Sequence, residues 1–500
     1  MDILNNIANG FGIAFQFNNL LLCFIGVVFG TFTGVLPGFG PSAAIALLIP
    51  LTFDLSGLSS IILLCGIYYG AMYGGSTTSI LVNIPGEAAS VITCLEGYAM
   101  AQAGRAGPAL GIAAFGSLIG GTIGIIGLML IAPPLADFAL KFGPHEIFSI
   151  MFAGLTVITY VSRGPVLKSL MMASLGLIIS SSGLDMISGT PRLTFGIIEL
   201  QDGIPIVPMA MGLFGISEVL LNLEKTLQIE VYDKTIHNIL PTLKDWAVSF
   251  GAILRGSAVG FFCGLIPGAG PVIASFISYA VEKRISKYPE KFGTGVIEGV
   301  AGPETANNAA VQAAFIPLFT LGIPVTPAIA ILFGAFVTHG IVPGPLLISK
   351  QPDLFWGVIA SMYIGNIMLL VLNLPLINMW VRIVRIPYTF LFPLILLFCL
   401  IGSFSLDFSM SSIYFMCIFG VIGYIMNKFE YEPTPLIMGF ILGPLMEKSL
   451  RQALIISHGS FTSFFNKPIC MVALSLAAVL LIINIMPYIR SRRLAVGSGE

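Results

Sequence analysis

The chain has 500 residues, of which 56% are hydrophobic and only 9% are charged, and its formal net charge at pH 7 is −1. So few charges argue against a soluble protein and are typical of a polytopic membrane protein. The near-neutral balance favours neither nucleic acid nor a membrane-surface role. We predict an all-α polytopic membrane protein with roughly 10–12 transmembrane segments of about 20 residues each.

Apolar segments recur along the chain, and several are too short to cross a bilayer as a helix. They lie near 20–35, 41–53, 57–73, 107–132, 144–161, 165–180, 205–221, 249–266, 271–281, 305–333, 354–376, 388–402, 410–426, 433–446 and 469–487. The short segments flank a repeated glycine and proline motif. This arrangement predicts broken or re-entrant helices.

The motif occurs twice at one offset (264 − 34 = 230). The repeated positions are Gly30, Gly34, Pro37, Gly38, Gly40 and Pro41, and then Gly260, Gly264, Pro267, Gly268, Gly270 and Pro271. We interpret the match as an internal duplication. Within hydrocarbon such a turn leaves backbone polar groups unpaired unless it is buried in protein or lines a polar cavity, so the motif predicts a functional site.

The duplication and the polar stretch between its halves predict the division of the chain. We expect a first membrane repeat at 1–221, a cytoplasmic linker at 222–248, a second membrane repeat at 249–460, and a C-terminal helix with a basic tail at 461–500. The linker contains Lys225, Lys234 and Lys244, which favours the cytoplasmic side.

Charge placement predicts how the repeats face. Residues 1–104 contain no Lys or Arg, so the loop after the first motif carries none. The equivalent loop of the second copy carries Lys283, Arg284, Lys287 and Lys291. The positive-inside rule places the two loops on opposite sides, which predicts inverted repeats about a pseudo-two-fold axis in the membrane plane. Many secondary transporters have this architecture, with substrate and ion sites near the bilayer midplane.

The motif itself has the chemistry of an anion site. A Gly-Pro pair at Gly40 and at Gly270 looks like a helix start, because proline suits the first helical position. The N-terminus of a helix attracts carboxylates or phosphates. The predicted substrate-binding residues are Pro37, Gly38, Gly40, Pro41, Ser42, Pro267, Gly268, Gly270 and Pro271. For Gly30 and Gly34 the alternative is that they only pack helices.

A polar patch follows each motif and supplies oxygen atoms of the kind that a hard cation such as Na⁺ prefers. The predicted cation-binding residues are Ser76, Thr77, Thr78, Ser79, Asn83, Glu304, Thr305, Asn307 and Asn308. Pro303 is expected to open the helix that carries the last four. The alternatives are that the hydroxyls hold helices together and that Glu304 caps its helix while the asparagines bond between helices.

Cysteines and histidines offer no metal or redox motif. The seven cysteines lie in apolar runs without a CxxC pair, and the four histidines are scattered. We expect buried cysteines, no cofactor and no metal beyond a coupling Na⁺. An intramembrane enzyme would need a nucleophile with a base or a metal set, which this pattern disfavours.

The chain resembles the large membrane subunit of the tripartite tricarboxylate transporters. The resemblance rests on GVLPGFGPSAAIALLIPLTF, YYGAMYGGSTTSILVNIPGEAASVITCLEGYAMAQAGRAGPALGIAAFGS, GLIPGAGPVIASFISYAVEK and EGVAGPETANNAAVQAAFIPLFTLGIPVTPAIAILFGA, between Gly30 and the region of Pro345. It implies uptake of di- or tricarboxylates such as citrate across a bacterial inner membrane, driven by a Na⁺ or H⁺ gradient. It also implies two partners, a small membrane subunit and a periplasmic solute-binding protein. The alternative is a secondary transporter of another solute that needs no binding protein.

Overall fold

The computed structural model describes residues 3–36, 39–162, 165–185, 187–224, 238–384 and 388–497, and their regular structure is almost entirely helical. The helices are α1 (Ile3–Ala14), α2 (Phe17–Val35), α3 (Gly40–Leu48), α4 (Gly57–Val82), α5 (Val91–Thr93), α6 (Ala106–Ala139), α7 (Pro144–Val161), α8 (Val166–Ser180), α9 (Ile206–Ala210), α10 (Ser217–Glu224), α11 (Leu243–Leu265), α12 (Gly270–Ile285), α13 (Glu298–Ala313), α14 (Phe315–Leu321), α15 (Pro327–Thr338), α16 (Leu347–Lys350), α17 (Pro352–Asn373), α18 (Ile377–Val384), α19 (Tyr388–Asp407), α20 (Met410–Lys428), α21 (Pro433–Ile456) and α22 (Pro468–Gly497). Two short strands, β1 (Gly183–Leu184) and β2 (Pro191–Arg192), pair antiparallel with Gly183 opposite Arg192.

Eight helical segments in these ranges are long and apolar enough to cross a membrane. They are Phe17–Val35, Gly57–Val82, Ala101–Ala139, Pro144–Val161, Ile206–Glu224, Leu243–Leu265, Pro352–Asn373 and Met410–Lys428. Several other predicted segments form shorter apolar helices, including Gly40–Thr52 and Pro327–Thr338. The chain is therefore an all-α multi-pass membrane protein, as predicted. The described ranges contain eight such segments, against the roughly 10–12 expected, and the shorter apolar helices account for other predicted segments.

The two motif copies fold alike. In each copy a long helix leads to the motif, a shorter helix follows it, and a third helix packs against the first: α2, α3 and α4, and then α11, α12 and α13. The helices after the motifs begin at Gly40 and Gly270 with proline next in the chain, which confirms the predicted helix starts.

Glycines on the first helix of each copy allow this close packing. A Cβ atom on Gly34 would lie 2.0 Å from the carbonyl oxygen of Ala71, and one on Gly264 would lie 2.4 Å from that of Ala310. Gly30 meets the backbone of α4 in the same way, one turn earlier. These glycines therefore bring helix backbones together, which was the alternative interpretation for Gly30 and Gly34.

A second interruption follows α4 in the first copy and α14, the short helix after α13, in the second copy, at an offset of its own (322 − 83 = 239). Asn83 after α4 and Gly322 after α14 both have a left-handed backbone, with φ of 58° and 68°. An Ile-Pro pair follows in both copies, and the next helix is capped by the side chain of Glu87 or Thr326. Each copy thus contains two broken helices.

The prediction that Pro303 opens a helix is wrong. The helix α13 begins at Glu298, and Pro303 lies inside it. The helical turn before Pro303 forms because the backbone of Gly302 packs against α11. A Cβ on Gly256 of α11 would lie 2.4 Å from the Gly302 carbonyl oxygen. That tertiary contact outweighs the single donor that the proline removes.

The predicted linker at 222–248 differs from the structure at its end. Residues 225–237, with Lys225 and Lys234, lie outside the described ranges. The last part of the linker belongs to α11, because Thr242 and Asp245 cap this helix reciprocally: the Asp245 backbone N–H donates to Thr242 Oγ1 (3.2 Å) and the Thr242 N–H donates to Asp245 Oδ2 (3.0 Å).

The apolar core supports the interrupted helices from one side. Phe319 lies at its centre, with ring centroids 5.9 Å from Phe336 and 5.5 Å from Phe355. All three are fully buried, and Phe315 continues the cluster toward Tyr68 on α4. Packing of this kind fixes the helices around the polar residues that follow.

The cysteines occupy the environment expected of small apolar residues in most cases. Five of the seven are buried, Cys94 is half-buried, and all are free thiols. Cys417 is exposed on α20, so the prediction of burial is wrong for this residue.

Candidate substrate and cation site

The helix α4 crosses α13 and α14, which follow each other directly in the chain, in the antiparallel sense. Ser76 Oγ donates to Glu304 Oε2 at 2.5 Å, and the Tyr68 ring lies 6.0 Å from that of Phe315. Tyr68 precedes Ser76 in α4, whereas Phe315 follows Glu304 in the second copy, so the helices run in opposite directions. The helices α2 and α4 pack parallel to each other, and so do α11 and α13. At this crossing the first pair therefore runs opposite to the second.

Contacts between the copies are reciprocal. Asn307 Nδ2 donates to Glu87 Oε1 at 3.3 Å, while the hydroxyls of Tyr68 and Thr326 lie 3.3 Å apart. Tyr68 corresponds to Asn307 and Glu87 to Thr326 at the second offset (307 − 68 = 239). Replacing the residues of one contact by their counterparts in the other copy therefore gives the second contact. In the same way α3 packs on α15, and α12 packs on the turn Ala88–Ser90.

The second motif lies against the second interruption of its own copy. Gly268 has φ of +80°, and its N–H donates to the Val325 carbonyl at 2.9 Å. Gly270 has φ of +48°, and a Cβ there would lie 3.0 Å from Thr326 Cγ2. Pro267 is half-buried and Pro271 is buried. The starts of α12 and α15 are thereby brought side by side.

The first motif is described only in part. Pro37 and Gly38 lie outside the described residues, whereas Gly40, Pro41 and Ser42 are half-buried at the start of α3. Gly40 has φ of +58° with no atom within 4 Å of the position of a Cβ.

The first copy also brings its two interruptions together. A Cβ on Gly86 would lie 2.0 Å from the Gly34 carbonyl oxygen. In each copy the motif therefore contacts the second interruption. This packing brings helix N-termini, including those of α12 and α15, close to the contacts between the copies. Such N-termini carry partial positive charge.

Glu304 is the centre of the predicted cation group. Ser76 and Thr93 donate hydroxyl hydrogen bonds to its two carboxylate oxygens, and the residue is 1% exposed. Asn308 Nδ2 donates to Ser117 Oγ at 2.8 Å and to the Glu304 carbonyl at 3.1 Å. Hydroxyls of α4 and α5 thus hold the carboxylate, while Asn308 links the Glu304 backbone to Ser117 on α6.

Neither Glu304 nor Glu87 takes part in the ion pairs found within the described ranges. Both side chains are at least nine-tenths buried, with exposures of 1% and 7%. A buried carboxylate without a basic partner needs either a proton or a bound cation.

Other predicted residues make backbone hydrogen bonds. The hydroxyl of Thr305 donates to the Ala301 carbonyl (2.7 Å), that of Ser79 to Gly75 (2.9 Å) and that of Thr78 to Val35 (3.1 Å). Asn83 is exposed at the end of α4. The structure therefore gathers Ser76, Glu304, Asn307 and Asn308, places Thr77 beside them on α4, and leaves Asn83 apart.

Several polar residues of the site were not predicted: Tyr68, Glu87, Thr93, Ser117 and Thr326. Glu87 and Thr326 occupy equal places after the two Ile-Pro pairs, so the second offset would have identified them. Thr93 and Ser117 carry no comparable signal, because they reach the site only through the path of the chain after Ala88.

Comparison with known proteins finds relatives and a family model for this chain. The chain is 48% identical over 493 residues, covering 99% of it and 98% of the relative, to a protein of Agrobacterium vitis described as an uncharacterized 52.8 kDa protein in the TAR-I ttuC' 3' region. It is 52% identical over 234 residues, 47% of this chain and 97% of the relative, to an uncharacterized protein in the TAR-II ttuC' 3' region of the same organism. No solved structure matches significantly. The Tripartite tricarboxylate transporter TctA family matches residues 20–438, and the chain therefore belongs to this family, as a large transmembrane subunit.

Proposed function

We propose that the chain is the permease subunit of a binding-protein-dependent secondary transporter that takes up small di- or tricarboxylates such as citrate across a bacterial inner membrane. A Na⁺ or H⁺ gradient drives uptake. A small membrane subunit and a periplasmic solute-binding protein complete the transporter. Family membership supports the class of transporter, and the geometry of the site supports the mechanism.

The observation that carries the mechanism is the reciprocal pair of contacts between copies, Asn307 with Glu87 and Tyr68 with Thr326. Together with the antiparallel crossing of α4 and α13, it supports two inverted repeats whose broken helices meet at a shared site. In this arrangement alternating access follows from movement of some of these elements about a site at the repeat interface.

The substrate part of the site is a set of helix starts. The N-termini of α12 and α15 lie together at Gly270 and Thr326, and backbone N–H groups at such ends favour carboxylates. The corresponding helix of the first copy is capped by the Glu87 carboxylate, which accepts from the Ala89 N–H at 2.5 Å. The best positions for a substrate carboxylate are therefore the starts of α12, α15 and α3, because Glu87 already occupies the backbone donor of the turn Ala88–Ser90.

The coupling part of the site is the group around Glu304. Moving a polyanion inward against the membrane potential is unfavourable by about 2.3 kcal/mol per charge for each 100 mV, so cotransported cations are required. A buried carboxylate that binds or releases a cation can link the two movements.

The test is uptake of labelled citrate, malate and an aromatic carboxylate into membrane vesicles that contain both membrane subunits. We expect uptake of one carboxylate class only when the purified binding protein and a Na⁺ or H⁺ gradient are both present. Collapse of both gradients with ionophores should stop it. Gradient-driven uptake that is unchanged without the binding protein would favour the alternative, a transporter that works alone. Absence of uptake of every carboxylate by a correctly inserted complex would contradict the proposal.

A further inference from the structure

A small polar cavity lies beside the Ser76–Glu304 contact. Its volume is about 10 Å³, which is the room that one water-sized particle needs. The polar residues that line it are Tyr73, Ser76, Thr77, Ser117 and Asn373. They come from α4 and α6 in the first half of the chain and from α17 in the second.

Asn373 points to a ligand in this cavity. The residue is 5% exposed, and its Nδ2 donates to the Leu369 carbonyl at 2.9 Å. Its Oδ1 is buried and has no hydrogen-bond partner among the described residues. A buried acceptor without a partner costs about 1–3 kcal/mol, so a group that satisfies it contributes to stability.

The other lining hydroxyls leave oxygen lone pairs toward the cavity. Tyr73 gives its hydrogen to Asn366 Oδ1 at 2.9 Å, and Ser76 gives its hydrogen to Glu304. Ser117 accepts from Asn308 and retains a second lone pair. The cavity thus gathers the oxygen atoms of Tyr73, Ser76, Thr77, Ser117 and Asn373, and neutral oxygens of this kind are ligands for a hard cation.

The charge around the cavity selects the valence of that cation. Glu304 is the one carboxylate in contact with a lining residue in the described structure, and it reaches the cavity through the Ser76 hydroxyl. The other buried carboxylate nearby, Glu87, accepts from Asn307 and from the Ala89 N–H rather than from a lining residue, so the charge at the cavity is that of Glu304 and matches one monovalent ion. Divalent ions of the hard class take several carboxylates in closed protein sites.

We propose that this cavity is a Na⁺ site in which Asn373 Oδ1 and the oxygens of Thr77, Ser117, Tyr73 and Ser76 are the ligands and Glu304 supplies the charge. The site rests on the proposed cation coupling and gives it ligands, three of which, Tyr73, Ser117 and Asn373, are not among the predicted cation-binding residues. Because Ser76 touches both the cavity and Glu304 of the other copy, occupancy of the cavity stabilises the crossing of α4 and α13.

Direct binding to the purified full chain tests the site without substrate or partner proteins. Trp380 is a built-in reporter, because it is 1% exposed and its Nε1 donates to the carbonyl of Leu372, next to Asn373. Tryptophan fluorescence and thermal unfolding are followed while Na⁺ replaces choline at constant ionic strength. We expect a saturable fluorescence change and a rise in Tm with Na⁺, and a weaker or absent response to K⁺.

The variants are Thr77→Val, which removes one ligand at constant shape, and Asn373→Leu, which removes the unpartnered oxygen. Each should raise the Na⁺ concentration for half-saturation at least tenfold, whereas Asn373→Asp, which keeps an oxygen, should still bind Na⁺. The matched control is Thr31→Val, a buried threonine whose hydroxyl donates to Val27 at 2.8 Å within α2. If Asn373→Leu does not fold, Thr77→Val decides the result.

Three results would overturn the proposal. They are a parent chain that gives the same response to choline and Na⁺, Thr77→Val with an unchanged Na⁺ curve, and Thr31→Val with the same loss as Thr77→Val. The first result means that the cavity holds water only or that Glu304 carries a proton. These outcomes are separate from those of the uptake assay, because a chain that binds Na⁺ at this site without transporting carboxylates would contradict the proposed function and retain the site.

Discussion

Asp185 organises the polar segment between α8 and α9. Its Oδ1 accepts from the backbone N–H groups of Ile187 (2.9 Å) and Ser188 (2.7 Å), and Arg451 and Arg192 form ion pairs with Oδ2 at 2.9 and 3.3 Å. The hydrogen bond from Ser188, then that from Ile187, and then Arg451 hold the pKa of this carboxyl well below its ordinary value. The charge of Asp185 therefore ties β1 and β2 to α21.

This linkage predicts how pH acts on the segment. A depressed folded-state pKa contributes stability above the ordinary Asp pKa of 3.8, and the contribution is lost as pH falls from there through the folded-state pKa. We expect protease cleavage within the β1–β2 segment to stay slow from pH 7 down to about pH 4 and to quicken below it. Asp185→Asn should make cleavage fast already at pH 7.

The matched control is Asp202→Asn in the same segment, where the side chain is exposed. Cleavage is followed by mass spectrometry with an acid-tolerant protease, so that the enzyme stays active over the whole range. Equal cleavage of Asp185→Asn and Asp202→Asn at pH 7 would show that the carboxylate does not hold the segment.

At the scale of elements, the parallel packing of α2 on α4 and of α11 on α13 depends on glycine. A Cβ at Gly34 or Gly264 would press on a backbone carbonyl, which cannot move as a side chain can. We expect Gly34→Ala and Gly264→Ala each to destabilise the chain by about 1–3 kcal/mol or more, the usual range for overpacking. The measurement is thermal unfolding in detergent, followed by size-exclusion chromatography.

Gly12→Ala on α1 is the control, because no atom lies within 4 Å of the position of its Cβ. This variant should leave Tm unchanged or raise it, since alanine has the higher helix propensity. Tm values of Gly34→Ala and Gly264→Ala no lower than that of Gly12→Ala would mean that these helices are not in the contact that the structure shows.

The two kinds of interruption differ in how well sequence reveals them. Gly270 adopts the left-handed turn and Pro271 starts the helix, and both roles are local, so the sequence alone predicts this interruption. The interruption at Asn83 and Gly322 uses two different residues in the same left-handed conformation. The two positions therefore differ in residue type although their backbone conformation is the same.

For the whole molecule, the proposed inverted arrangement of the two copies predicts topology. The Ser56 loop carries no Lys or Arg, whereas the Ser286 loop is basic, and these loops follow the corresponding helices α3 and α12. We expect Ser56→Cys to react with an impermeant thiol reagent from the periplasmic face and Ser286→Cys only after permeabilisation.

The background for this assay needs Cys417 replaced first, because it is the exposed cysteine of the described chain. Labelling in intact cells and in inverted vesicles should give opposite patterns for the two positions. Both cysteines reacting from the same face would rule out inverted repeats.

From the amino-acid sequence alone follow the membrane class, the duplication, the helix starts at Gly40 and Gly270, and the polar patches that contain Ser76 and Glu304. These features depend on composition and on local backbone conformation, which glycine and proline indicate directly. The tertiary structure alone decided that α13 begins before Pro303, that Gly34 packs helices, and that Asn307 meets Glu87. It also decided that Asn373 reaches the cavity beside Ser76. Such contacts join residues hundreds of positions apart, and which acceptor stays unsatisfied depends on how whole helices pack, so no local pattern encodes it.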